Sequence, residues 1–140
     1  MKQPCELIVW YIIPTTRAVL AKELFKLGMK QKEISELLDI TQPAVSQYLS
    51  DKRGGREIEL TEEMGKMIKE LAFNLKEGLA SKKDIVSEIC ETCRKGRTED
   101  ILCNLHRLKE GVSDDCHQCL DLANDTICES YCPHSFDYSI

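Results

Sequence analysis

The sequence lacks the features on which a membrane span or a common catalytic site depends. Its longest apolar stretch, Leu7–Ile13, is far too short to cross a bilayer. It contains no Ser-His-Asp arrangement, no glycine-rich loop that would cradle a phosphate, and no HExxH motif. A CxxC pair can serve a redox enzyme, but the βαβ pattern that normally carries one is missing. We therefore expect a protein that is not an enzyme and has neither a small-molecule substrate nor a membrane partner.

The N-terminus also lacks the basic region, long apolar run and cleavage site of a secretory signal peptide, so we expect a cytoplasmic location. No internal repeat or low-complexity tract is present. A length of 140 residues corresponds to one or two small domains.

The net charge of −5 is distributed unevenly along the chain. Residues 1–56 hold nine Lys/Arg against six Asp/Glu, whereas residues 57–140 hold ten against eighteen. A basic first part and an acidic second part indicate separate roles. The acidic part should be kept away from the phosphates of any nucleic acid that the basic part binds.

Helical periodicity from Thr15 to Leu122 predicts an all-α fold. The predicted helices are Thr15–Leu27, two short helices within Gly28–Arg53, Thr61–Gly78, Lys82–Lys95, Glu99–Lys109 and a shorter one from Ser113. The residues expected to face inward include Val19, Leu20, Leu24, Leu27, Ile85, Val86, Ile89, Leu102, Leu105 and Leu108. The apolar stretch Leu7–Ile13 fits a core strand, a core helix or a dimer contact equally well. The stripe of Thr61–Gly78 fits core packing or a dimer helix.

The most informative stretch is Gly28–Arg53, in which two short amphipathic helices meet at a polar turn. Leu37 and Leu38 recur with Ile34 at helical spacing, and Asp39 and Ile40 form the corner. Thr41 is a good N-cap for the second helix, because its hydroxyl can accept from the backbone of the next turn. Pro43 fits the first turn, where its missing N–H costs nothing. These features predict a helix-turn-helix, with an ordinary pair of core helices as the alternative.

The second helix of this pair carries side chains suited to DNA. Val45 and Leu49 anchor it, so we expect Gln42, Ala44, Ser46, Gln47 and Tyr48 to point away from the core. Amide and hydroxyl groups can read base edges in the major groove, and Gln can pair bidentately with adenine. Basic residues follow the helix and could meet phosphates. We expect Gln42, Ser46 and Gln47 to read bases and Lys52 and Arg53 to contact phosphate.

The run QKEISELLDITQPAVSQYLSDKRG resembles the helix-turn-helix of the Cro/repressor-like (XRE) transcriptional regulators. The longer run from Pro4 to Gly55 is similar to an archaeal branch of that family with a Cys-rich C-terminal region. Asp39 stands where the motif usually has Gly, and Asp tolerates the left-handed conformation needed there better than most residues. The resemblance implies a homodimer on duplex operator DNA. The implied DNA-binding residues are Gln31, Thr41, Gln42, Pro43, Ser46, Gln47, Tyr48, Lys52 and Arg53.

Seven of the eight cysteines lie between Cys90 and Cys132, whereas Cys5 is isolated and fits a small buried residue. Cys90-x-x-Cys93 and Cys116-x-x-Cys119 have metal-ligand spacing, and residues three apart on a helix share a face. The candidate ligands are Cys90, Cys93, Cys103, Cys116 and Cys119, with Cys128 and Cys132 as a further pair. His106 and His117 lie near them in sequence, and we expect them beside the ligands or at the surface.

Four interpretations of these cysteines remain open. They are an iron–sulfur cluster, of the 4Fe-4S type; a tetrahedral zinc site; a metal-free thiol switch; and buried cysteines with no special chemistry. Helical pairs and a surplus of thiols favour the iron–sulfur cluster.

The sequence thus predicts a DNA-binding domain at 1–56, a connector or dimerisation helix at 57–80 and a Cys-rich metal-binding domain at 81–140. The leading hypothesis is a transcriptional regulator that senses redox state, iron or sulfur through its cluster. We expect coupling between the two ends through the helix Thr61–Gly78. The alternatives are a regulator with a structural zinc site or a thiol switch, and a protein-interaction adaptor.

Overall fold

A computed structural model describes residues 4–51, 58–98, 101–111 and 113–115. Over these residues all regular structure is helical and no strand occurs, which confirms the all-α prediction for the described part of the chain. The helices are α1 (Pro4–Leu7), a π-helical turn (Ile8–Ile12), α2 (Ile13–Lys26), α3 (Gln31–Leu38), α4 (Gln42–Leu49), α5 (Glu62–Lys76), α6 (Lys82–Thr98) and α7 (Ile101–Glu110).

The apolar stretch whose structure the periodicity left open is helical. Leu7, Ile12 and Ile13 all have right-handed helical backbone angles, so α1, the π-helical turn and α2 form one continuous helical run. The Ile13 N–H donates to the Ile8 carbonyl five residues back, which is the π-type bond. One side of the stretch is buried. The other leaves Val9 60% and Trp10 63% exposed.

The main core lies around α2, which contacts α3, α4, α5 and α6. It contains Ala18, Leu20, Ala21, Leu24, Met29, Ile34, Leu38, Val45, Tyr48, Ile68, Leu71, Ala72, Leu75 and Ile85. The predicted connector helix is thus a core helix on α2, and its N-cap is as expected, with Thr61 Oγ1 accepting from the Met64 N–H at 3.3 Å. Its role in a dimer stays a prediction, as does the division into three domains.

A second apolar cluster joins the N-terminal run to α7. Its buried members are Leu7, Ile8, Ile12, Leu102, Cys103 and Leu105. Cys93 of α6 packs against this cluster, as does Ile58 from the segment before α5. Helices α6 and α7 therefore both contact the N-terminal run, and α6 also contacts α2, α3 and α5.

Three residues expected to face inward do not. Leu27, at the C-cap of α2, is 40% exposed. Val86 is 55% exposed and Leu108 is 71% exposed. On α6 the neighbouring Ile85 faces the core, and successive helical residues diverge by about 100°. On α7 the buried residues are Leu102, Cys103, Leu105 and His106, and the centre of the face that they form lies about 140° around the helix from Leu108.

The interface of α5 with α6 contains an uncompensated carboxylate. Lys95 Nζ donates to Glu63 Oε1 at 2.7 Å, and this pair ties α6 to the first turn of α5. Within the described residues, Glu88 Oε1 is buried without a hydrogen-bond partner. Burial raises the pKa of Glu88, and the negative charges of Glu91 and Glu70 raise it further, against a lowering by Lys95. The charged form of Glu88 is therefore disfavoured in the native state.

Replacing Glu88 by Gln should stabilise the protein at neutral pH. The pKa of Glu88 in the native state lies above the ordinary value of 4.5. The buried charge of Glu88 therefore destabilises the native state at pH values above that native pKa, and the destabilisation disappears as the pH falls towards 4.5. We expect the urea-unfolding free energy of Glu88→Gln to exceed that of the wild type at pH 7, with the two converging as the pH approaches 4.5. Glu59→Gln, exposed and outside the helices, controls for loss of one charge. A difference that stays constant across this pH range would contradict the assignment.

Candidate nucleic-acid interface

Helices α3 and α4 are eight residues each and are separated by only three residues. Asp39 ends α3 in the left-handed conformation, with φ 51° and ψ 43°. The Ile40 N–H then donates to the Ser35 carbonyl at 3.1 Å, and Thr41 Oγ1 accepts from the Ala44 N–H at 3.2 Å. The predicted left-handed corner and the predicted N-cap are both confirmed.

The start of α3 is fixed by its own side chains. The Lys30 N–H donates to Glu33 Oε2 at 2.9 Å, so that a carboxylate sits among the unpaired amides of the first turn. Ile34 and Leu38, one turn apart, are buried in the main core. Gln31, at the first position of the helix, is exposed, as are Lys30 and Lys32 on either side of it.

Helix α4 has a buried face and an exposed polar face. Val45 is completely buried, and Ala44 and Tyr48 are each only 4% exposed. The expectation that Ala44 and Tyr48 point away from the core is therefore wrong. Positions i, i+1 and i+4 share one face of a helix, so both residues join Val45 against α2 and α3. Tyr48 belongs to the core and not to the exposed surface.

The other expected residues of α4 do lie at its surface. Gln42, Pro43 and Ser46 are exposed together with the cap Thr41, and Gln47 is half-buried. This face carries amide and hydroxyl groups and no charge, which is the chemistry that reads base edges. Lys52 and Arg53 lie outside the described residues.

Ion pairs tie both ends of α4 to other helices. Lys22 of α2 pairs with Asp51, which follows α4 in a left-handed conformation with φ 60°. Lys82, the first residue of α6, pairs with Asp39 at 2.7 Å. These pairs add polar contacts from the two ends of α4 to α2 and α6, beside the buried face that holds the helix in the core.

The described cysteines do not form one donor set. Cys90 is exposed, Cys93 is half-buried and Cys103 is 2% exposed in the second apolar cluster. In the described ranges, no three or more His, Cys, Asp or Glu side chains are grouped so that they could hold a metal ion. His106 is 1% exposed and not at the surface. Cys116, Cys119, Cys128, Cys132 and His117 lie outside the described residues, so the iron–sulfur and zinc interpretations stay predictions.

Comparison with known proteins gives no relative: no family model, curated protein or solved structure matches this chain. The resemblance to the XRE regulators thus stays a prediction. None of the helices that the structure describes is both long and apolar enough to cross a bilayer.

The left-handed corner yields a stability prediction. Replacing Asp39 by Ala should cost about 1–2 kcal/mol, because Ala is strained in this conformation. Asp39→Asn keeps a residue that tolerates it but loses the ion pair, and Lys82→Ala loses the ion pair alone. Both should stay within about 1 kcal/mol of the wild type, since the pair is exposed. Urea unfolding of the three variants measures this. Equal losses in all three would assign the role of Asp39 to its charge.

Proposed function

We propose that this protein is a sequence-specific DNA-binding regulator of transcription. The observation that carries the proposal is the division of α4 into two faces, after a three-residue turn with a left-handed corner. One face is locked in the core by Val45, and the other presents uncharged hydrogen-bonding side chains to solvent. A helix that was merely solvated would more often expose Glu and Lys.

In this proposal α4 is the recognition helix and enters the major groove. Gln42 and Ser46 are free of the core and read base edges, and Gln47 contributes the exposed part of its side chain. Gln31 at the start of α3, and Lys52 and Arg53 after α4, contact the phosphate backbone. A homodimer would bind two half-sites about one helical turn apart. The domain order is the predicted one, with the DNA-binding part first, then the helix α5, then the Cys-rich part, and the setting is the cytoplasm.

Contacts to bases and to phosphates differ in their measurable consequences. Replacing Gln42 by Ala should cost about 1–3 kcal/mol and relax the preference at one base position. Replacing Lys52 by Ala should weaken binding to all sequences alike and flatten its salt dependence. The measurement is selection of duplexes from a random library, followed by titrations at several salt concentrations.

The exposure of Gln42 makes this comparison clean, because its loss leaves the core intact. Unfolding curves of both variants should superimpose on the wild type. If the two variants change affinity identically across all sequences, the assigned roles are wrong. If the folded wild type has no affinity for any duplex, the adaptor function replaces the regulator.

We further propose that the two CxxC pairs give the regulator its sensor. The donors are Cys90, Cys93, Cys116 and Cys119, with an iron–sulfur cluster as the leading cofactor and zinc or a metal-free thiol switch as alternatives. Burial supports dropping Cys103 from the expected set. Cys103 belongs to the buried apolar cluster that also contains Leu7, Ile8 and Leu105, and its thiol would have to leave that cluster to become a ligand.

Substituting Cys93 and Cys103 one at a time distinguishes a metal ligand from a residue of the core. Anaerobically purified Cys93→Ser should lose most of its bound metal. Cys103→Val, which fills the same apolar site, should retain it, and both should be assayed for iron, sulfide and zinc. Loss of metal in Cys103→Val with an unchanged unfolding free energy would restore Cys103 to the ligand set. A colourless zinc protein would favour the structural-metal alternative.

A further inference from the structure

Helix α6 approaches the N-terminal run at a glycine. A Cβ atom built on Gly96 would lie 2.6 Å from Ile12 Cδ1, closer than side-chain carbons come in proteins. A Cβ at position 96 would therefore displace the end of the Ile12 side chain, which is completely buried and cannot move without shifting its neighbours. By contrast, a Cβ on Gly65 in α5 would have no neighbour within 4 Å, so that glycine has no such packing role.

Gly96 shares a helix face with a candidate metal ligand. Cys93 lies three residues earlier, hence on the same side of α6, and it packs against the cluster that contains Ile12. A rotation or shift of α6 that brought Cys93 to a new partner would therefore move Gly96 against Ile12.

Ile12 in turn connects directly to the DNA-binding half. It is the last residue of the π-helical turn, it is completely buried, and the next residue begins α2. Helix α2 contacts both α3 and α4 and pairs with the end of α4 through Lys22 and Asp51. A π-helical turn is a rare geometry that often marks functional sites, and it is here the least regular part of an otherwise continuous helix.

We propose that the Gly96–Ile12 contact is the regulatory link between the cysteine-bearing helices and the recognition helix. When the thiols of α6 gain or lose the bonds of the proposed sensor, Gly96 moves against Ile12. The π-helical turn then changes its geometry, and α2 transmits the displacement to α3 and α4. The link deepens the proposed function, on which its meaning for DNA binding rests. It differs from the route expected from the sequence, in which α5 alone connects the two halves.

Two adjacent residues of α6 discriminate these routes. Lys95 reaches α5 through Glu63, whereas Gly96 faces Ile12. Gly96→Ala perturbs the proposed link, and Lys95→Ala removes the tie to α5. Gly65→Ala is the matched control for the gain in helix propensity, which is the same in kind for either glycine. Gly96→Ala combined with Ile12→Val is the rescue, since Val lacks the Cδ1 atom that the new methyl would strike.

The first measurement is amide hydrogen exchange of the reduced full chain without DNA. In Gly96→Ala we expect exchange in α2, α3 and α4 to rise several-fold more than in α5. Gly65→Ala and Lys95→Ala should leave the ratio between these regions at the wild-type value, and the double variant should restore it. Equal changes in all helices would reduce Gly96 to a global packing residue and overturn the link. A larger effect of Lys95→Ala than of Gly96→Ala would return the coupling to α5.

The second measurement uses a duplex selected by the wild-type protein. Gly96→Ala should bind it several-fold more weakly, with recovery in the double variant and no change in Gly65→Ala. By reciprocity, the bound duplex should slow modification of Cys93, three residues before Gly96 on α6, by N-ethylmaleimide relative to the exposed Cys90, as read by mass spectrometry. If the wild type selects no duplex but the exchange pattern is as expected, the proposed function fails and the mechanical link stands. If duplex binds with no effect on the modification of Cys93, the link is overturned and the DNA-binding function stands.

Discussion

The seven apolar residues Leu7–Ile13 have to be shielded from water, and the arrangement of the helices follows from which residues pack against them. Leu7, Ile8 and Ile12 are buried on one side of a π-helical turn, and the covering residues come from α7, more than ninety positions later. Burying a large aliphatic side chain is worth about 1.5–3 kcal/mol, so these contacts are a substantial part of what holds α7 in place. The same run continues into α2, around which the main core is built. The two apolar clusters are therefore joined by one continuous helix.

Helix α4 is flanked by the two non-glycine residues that have positive φ in the described part of the chain, Asp39 and Asp51. Both are aspartates, which adopt the left-handed region at lower cost than most residues. Each also pairs with a lysine from another helix, Lys82 for the first and Lys22 for the second. Exposed pairs of this kind contribute little to stability. The buried residues Ala44, Val45 and Tyr48 decide which face of α4 meets solvent, and the two ion pairs add contacts from the ends of this short helix to α6 and α2.

Much of the helical architecture could be predicted from local chemistry. The cap residues Thr41 and Thr61 act where their hydroxyls were expected, and Asp39 makes the predicted corner. Errors arose where a helix has neighbours on an unexpected side. Tyr48 has a polar tip and was assigned to the interface, yet its ring is needed to fill the core beside Val45. Leu108 is apolar and is expected in the core, yet the buried face of α7 is centred between Leu102 and His106, away from Leu108. Most buried residues are apolar, but an apolar residue need not be buried, and the tertiary contacts of each residue decide whether it is.

The cysteines show most clearly what spacing cannot supply. Three-residue spacing correctly put Cys90 and Cys93 near each other on α6, but it says nothing of which helix side meets an apolar partner. Cys103 was grouped with them because it is a cysteine in the same region, whereas its surroundings are those of a small apolar residue. The glycine at position 96 was given no role from the sequence, because a helical glycine is informative only once its neighbour is known. Its contact with Ile12 depends on two segments 84 positions apart in the chain, and that pairing arises from the fold alone. The two residues that we propose as the link between the two halves are thus an isoleucine and a glycine, neither of which carries any chemistry of its own.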